Sequence, residues 1–125
     1  MMTVLLSIKP QFAFQIFDGS KKYEFRKTIF KRNDVRKAIV YVSSPIQQVI
    51  GEFEIEEIIS DTIRKVWEKT SKFSGITQKL YKTYFGNKNM AYAIKIGRVQ
   101  KYSSPRCLSD YDIRFAPQSF IYLAR

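Results

Sequence analysis

The densest chemistry in the sequence is the run Gly19-Ser20-Lys21-Lys22-Tyr23-Glu24-Phe25-Arg26, which reads G-x-K-x-x-E-x-R. An amine, a carboxylate and a guanidinium fall within it. If the run is extended after Lys22, Glu24 and Arg26 share one strand face about 7 Å apart. Lys21, in the preceding turn, can curl toward them. On a wet surface Glu24 and Arg26 would form an ion pair worth roughly 0–1 kcal/mol. Against a wall that partly dehydrates them, the trio gains uses. Arg26 offers a planar fork to phosphate or stacks on a base. Lys21 supplies a point charge. Glu24 accepts from an exocyclic amino group or takes a proton as a general base.

Other chemistries drop out by composition. The sequence has no histidine, which excludes Ser-His and Cys-His nucleophile pairs and any His-containing zinc site. Its one cysteine, Cys107, cannot make an internal disulfide and has no base in sight to activate it. P-loop, dinucleotide, CxxC and EF-hand patterns are absent, so no cofactor or metal is expected. What remains is charge. Lys and Arg number 22 against 11 Asp and Glu, a net +11, and such a balance points to a polyanionic partner. The charge is segregated. Residues 21–37 hold eight basic and two acidic side chains, residues 52–61 five acids and no base, and residues 64–101 ten bases and the single acid Glu68. Blocks of this kind suggest a binding face, although folding can disperse them.

The elements that must position these groups can be read along the chain. Its 125 residues suit one domain, 1–125, with no repeat or linker to divide it. TVLLSI (3–8) reads as a short buried strand. Pro10 opens a helix whose Phe12, Ala13, Ile16 and Phe17 share a face, and Gly19 stops it. The β-rich run 22–30 follows, then a turn at Asn33-Asp34. Residues 38–42 form an apolar strand ending at Ser43-Ser44-Pro45. Residues 49–59 alternate, with Val49, Gly51, Phe53 and Ile55 on one face and Glu52, Glu54 and Glu56 on the other. Those carboxylates are most simply a wet strand face rather than a metal cluster. Asp61 is placed to cap a helix carrying Ile63, Val66, Trp67 and Thr70. After Ser74-Gly75 a second helix carries Ile76, Leu80 and Tyr84 with Tyr81 and Phe85. Residues 90–99 are a strand, 103–105 a loop, and 119–123 a closing strand. The order β-α-β-β-β-α-α-β-β lacks the alternation of a doubly wound sheet. It suggests an α+β fold, a mixed sheet curled into a small barrel of about five or six strands with helices outside. Trp67, Tyr81, Tyr84 and Phe85 fall at helical spacing and are expected in the core; any left exposed beside Lys79, Lys82 or Lys88 would be a stacking platform for unpaired bases.

With the motif at this helix-to-strand junction, the chain resembles the ASCH domain family of the PUA-like superfamily. LLSIKPQFAFQIFDG, the YVSSP strand end, VIGEF and the closing APQSFIYL look like one subgroup of it. The resemblance implies a PUA-like barrel with a cleft that binds RNA or a modified nucleoside. Lys21, Glu24 and Arg26 carry over as its lining, and Ser43 and Ser44 more loosely. With neighbouring Lys22 they form the candidate nucleic-acid-binding set. Many relatives are predicted RNA-binding or regulatory modules and a few are hydrolases. One branch deacetylates acetylated cytidine with a Lys-x-x-Thr pair and a distant Glu. Here Lys21-x-x-Glu24 replaces that pair, and Thr28 lies four residues too far on to substitute.

The favoured expectation is therefore an RNA- or single-stranded-nucleic-acid-binding module with a basic cleft. The alternative is a small hydrolase, a ribonuclease or modified-nucleoside amidohydrolase, with Lys21 and Glu24 as its catalytic pair. Burial would lower the lysine pKa and raise the glutamate's. An acidic protein partner is a further reading. No apolar run approaches the roughly 18 residues of a membrane span, and the N-terminal run is too short for a signal-peptide core. The expected location is cytoplasmic.

Overall fold

The structure, a computed structural model, describes residues 2–124. Met2–Ile8 (β1) is the expected buried strand. Pro10–Asp18 (α1) follows, with Pro10 in its first turn. Gly19 ends it in the left-handed region at φ 88°, where glycine has no Cβ to clash. Then come Tyr23–Arg26 (β2), Val35–Val42 (β3), Gln48–Thr62 (β4), Ile63–Thr70 (α2), Gln78–Phe85 (α3), Met90–Arg106 (β5) and Phe120–Leu123 (β6). This is the expected order, with 3-10 turns added at Ser71–Phe73 and Leu108–Tyr111.

The fold is α+β, built on one mixed six-stranded sheet in the order β2-β5-β4-β3-β1-β6. β1 and β3 run parallel; every other pairing is antiparallel. The two long strands, β4 and β5, pair along most of their length with register shifts at Val49/Gly51, Phe53/Ile55 and Ile55/Glu57. Such bulges sharpen twist and bend the ribbon. The expected barrel is not closed by a backbone ladder: β2 and β6 remain the two ends of the sheet. A side chain spans the gap instead. Arg26 of β2 donates to the carbonyl oxygens of Ser7 in β1 and of Ser119, just before β6.

Three apolar clusters hold this frame. The largest takes Ala13 and Ile16 of α1, the inward residues of β1 and β3, and Phe53, Ile55, Ile94 and Ile96. A second gathers Leu5, Ile39, Tyr41, Tyr102 and Tyr111. The third packs Val66 of α2 and Tyr81 and Phe85 of α3 on Phe25, Ala91 and Ala93 of β2 and β5.

Several boundaries differ from the sequence expectation for local physical reasons. The β-rich run 22–30 pairs only over Tyr23–Arg26. Beyond it the chain leaves the sheet and buries Phe30 in the main cluster, edge-to-face with Phe120 at 5.7 Å. Residues 103–105 are not a free loop but lie within β5, where the register jumps from Lys101 opposite Gly51 to Arg106 opposite Val49. The same irregularity separates Val49, in the second cluster, from Phe53 and Ile55, in the first. Thr62 rather than Asp61 caps α2, its side chain accepting from Lys65 N–H. Asp61 instead accepts from the Thr62 N–H at 2.7 Å.

Candidate functional site

The motif lies where the sequence places it, at the end of α1 and along β2. Two backbone bonds set its entry: Lys21 N–H donates to Gln15 O at 3.1 Å, and Lys22 N–H donates to Phe73 O at 2.8 Å. The second bond draws the Ser71–Phe73 turn down onto the motif. Ser74 follows, and its carbonyl accepts from the Lys21 ammonium at 2.6 Å. Gly75 lets the chain pass this close, since a Cβ there would sit 2.9 Å from the Lys21 side chain, and its φ of 74° is itself left-handed. Lys21 is only 2% exposed. Its Nζ lies 5.1 Å and 4.9 Å from the ring centroids of Phe12 and Phe25, where ring quadrupoles stabilise a cation. Burial nevertheless dominates and pulls the amine down to about 8, with the Glu24 carboxylate acting in the opposite direction.

Glu24 and Arg26 are buried too, at 4% and 8% exposure, and joined at 2.9 Å. They are therefore the dehydrated pair, not the surface one. Arg26 Nη1 donates to Glu24 Oε2 and to Ser7 O, and Nη2 donates to both the carbonyl and the hydroxyl of Ser119. The guanidinium fork is thus occupied by protein acceptors, and its evident work is to tie β2 to β1 and the start of β6.

These three side chains line a cleft of about 840 Å³. Ser43 also lines it; Ser44 is exposed beyond it, and Lys22 points to solvent outside the lining. The structure adds groups that sequence reasoning did not assign. Lys9, Lys27 and Lys88 bring ammonium groups, Ser7 and Ser119 bring polar atoms, and Tyr84 brings a ring. Lys88 and Tyr84 carried a signal, as members of the expected lysine-and-aromatic set. Ser119 carried none beyond its place at the start of a strand. The apolar stripe of the second helix divides in two. Tyr81 and Phe85 enter the core as expected, whereas Leu80 and Tyr84 line the cleft, as does Ile76 just before the helix. The stripe is wider than the face that β2 and β5 can cover, so its flank is left facing the cleft. Trp67 packs against the third cluster, its ring 4.8 Å from that of Tyr81.

Among the described residues, no group of three or more Cys, Asp or Glu side chains is placed to hold a metal ion. Of the β4 carboxylates, Glu52 pairs with Lys37 and accepts from Tyr102, and Glu56 pairs with Lys95. No helix among the described residues is long and apolar enough to cross a membrane.

Comparison with known proteins agrees with the fold. The ASCH domain profile matches residues 6–100. Over 97% of its length the chain is 35% identical to the large ribosomal subunit protein uL22 of Ureaplasma parvum serovar 3, of which it spans only 39%. It is 27% identical to an ASCH domain-containing ribonuclease of Zymomonas mobilis, over 71% of this chain and 60% of that protein. The crystal structure of ASCH from Zymomonas mobilis superposes with a TM-score of 0.89 at 24% identity, covering 98% of this chain and 88% of the other.

Proposed function

The chain belongs to the ASCH domain family, and on that premise we propose that it binds single-stranded RNA in the cleft over Lys21, Glu24 and Arg26. The observation that carries this reading is the cleft's construction. A buried lysine under the floor and the rim lysines Lys9, Lys27 and Lys88 surround a nucleotide-sized space with aromatic and aliphatic walls. That combination suits a polyanion with stackable bases. One relative supports the RNA context by name, the ASCH domain-containing ribonuclease. In this reading the rim lysines meet phosphate, Ser43 offers a hydroxyl, and Glu24 reads an amino group. Arg26 acts from within the wall rather than at the ligand.

The expected result is steep salt dependence. Three rim contacts at about 0.7 log units each give an affinity that falls by about two log units per decade of salt. Fluorescence anisotropy with a short single-stranded RNA measures it directly over about 30–300 mM salt, a range in which the Debye length shortens about threefold. A flat salt profile, or no binding at the lowest salt, would refute the reading.

A second reading, cleavage, is favoured by a specific pair of facts: the relative named a ribonuclease, and an amine held near 8 beside a buried carboxylate. Such a pair can take a proton from an attacking hydroxyl at Glu24 and return one to the leaving oxygen from Lys21. The two readings separate on Glu24→Gln. If the cleft cleaves RNA, this variant loses about 10²–10⁴ in rate with affinity little changed. If it only binds, the wild type shows no turnover of short RNAs or acylated cytidines by mass spectrometry, and Glu24→Gln still holds RNA.

A further inference from the structure

Two lysines in the cleft rest on aromatic rings, and they differ in freedom. Lys21 over Phe12 and Phe25 is buried and bonded to Ser74 O. It cannot vacate its place without losing that bond. Lys27 is exposed, and its Nζ stands 4.9 Å from the centroid of the Tyr84 ring. Among the described residues no carboxylate pairs with it.

The Tyr84 ring, by contrast, is held in place. Its hydroxyl donates to Phe25 O at 3.3 Å, and its ring meets that of Phe85 at 4.9 Å and 77°. It remains 36% exposed and lines the cleft together with Lys27. The protein thus presents a ring of set orientation covered by a displaceable cation.

We propose that Tyr84 is the base-stacking residue of the cleft, and that an incoming base displaces Lys27 from its ring onto the adjoining phosphate. The inference rests on the RNA-binding reading and deepens it. A stacked base is worth more than an exposed cation–π contact, so the exchange runs forward. The released ammonium, with no carboxylate to return to, meets the charge that the base brings with it.

The test uses a short single-stranded RNA carrying 2-aminopurine, read by anisotropy for binding and by fluorescence for stacking, together with adenosine, which has no phosphate. Tyr84→Leu should bind the RNA about tenfold more weakly and lose the quenching of 2-aminopurine, whereas Tyr84→Phe should keep the quenching. Lys27→Met should act in opposite directions on the two ligands. Adenosine should bind about two- to fivefold more tightly because the ring is uncovered, and the RNA salt slope should fall by about 0.7. These Lys27 and Phe arms decide the matter even if Tyr84→Leu folds poorly. Unchanged RNA affinity and quenching in a folded Tyr84→Leu would overturn the stacking role and leave RNA binding standing. Weaker adenosine binding in Lys27→Met would overturn the displacement. Failure of the wild type to bind RNA at low salt would overturn both the inference and the reading beneath it.

Discussion

Lys21→Met should give a protein that is more stable at pH 7 and worse at binding RNA. Burial pulls the Lys21 amine from 10.5 down to about 8, so the folded chain releases this proton before the unfolded chain does. Between about pH 8 and 10.5 the unfolded state holds more protons, and stability rises with pH. Below pH 8 both states are protonated and the full cost of burying the charge is present. Methionine fits among Phe12 and Phe25 as an apolar side chain with favourable sulfur–aromatic contacts. Replacing buried ionic groups by apolar ones is often neutral or stabilising by about 1–4 kcal/mol, and here the Glu24 carboxylate keeps its Arg26 partner. Urea melts at pH 7 and pH 10.5 should show the gain at the lower pH and its shrinkage at the higher. A variant less stable than wild type at pH 7 would show that the Ser74 bond and the two rings outweigh the desolvation. The same substitution removes a positive charge beneath the ligand, which should weaken RNA binding about tenfold. Wild-type affinity should also fall as pH rises through about 8, and Lys21→Met should lack that step.

Arg26→Ala should be the most damaging single change in the cleft, by about 3–5 kcal/mol. It leaves the Glu24 carboxylate buried without its partner and removes the donors to Ser7 O and to both oxygens of Ser119. It also removes the tie across the open side of the sheet. Arg26→Lys should recover only part of the loss, because one ammonium cannot span acceptors on three segments as the planar fork does. Denaturant melts of Arg26→Ala, Glu24→Gln and the double variant measure the coupling. The double variant should be less impaired than the sum of the two, since the neutral amide of Glu24→Gln leaves no unpaired charge. Hydrogen exchange adds a local readout. The Ser7 N–H, which donates to Ser119 O at 3.0 Å, should lose protection ahead of the β4–β5 ladder. A fully stable Arg26→Ala would remove the structural role assigned to this residue. Loss of RNA binding in an unfolding Arg26→Ala says nothing about phosphate contact, so rim lysines are the better probes of the ligand.

Local rules accounted for much of this protein because they act over a few residues. Pro10 and Gly19 bound α1, the alternation of Glu52, Phe53, Glu54 and Ile55 marks a strand with one wet face, and the helical spacing of Tyr81 and Phe85 marks a core stripe. The motif's place at the α1–β2 junction follows from the same signals, and so does the shared face of Glu24 and Arg26. None of these signals carries information on what lies opposite. The partners that give these side chains their character come from far along the chain: Ser74 for Lys21, Ser119 for Arg26, and Phe25 for Tyr84. Their meeting depends on the strand order of the sheet, on the register shifts between β4 and β5 and on where the Ser71–Phe73 turn docks. Burial of the trio, the depressed lysine and the uncovered flank of α3 are consequences of those long-range contacts. Sequence alone determined which groups stand together on β2; the closing of a bent, open sheet around them decided that Arg26 works as a tie, Lys21 as a buried charge and Tyr84 as a wall of the cleft.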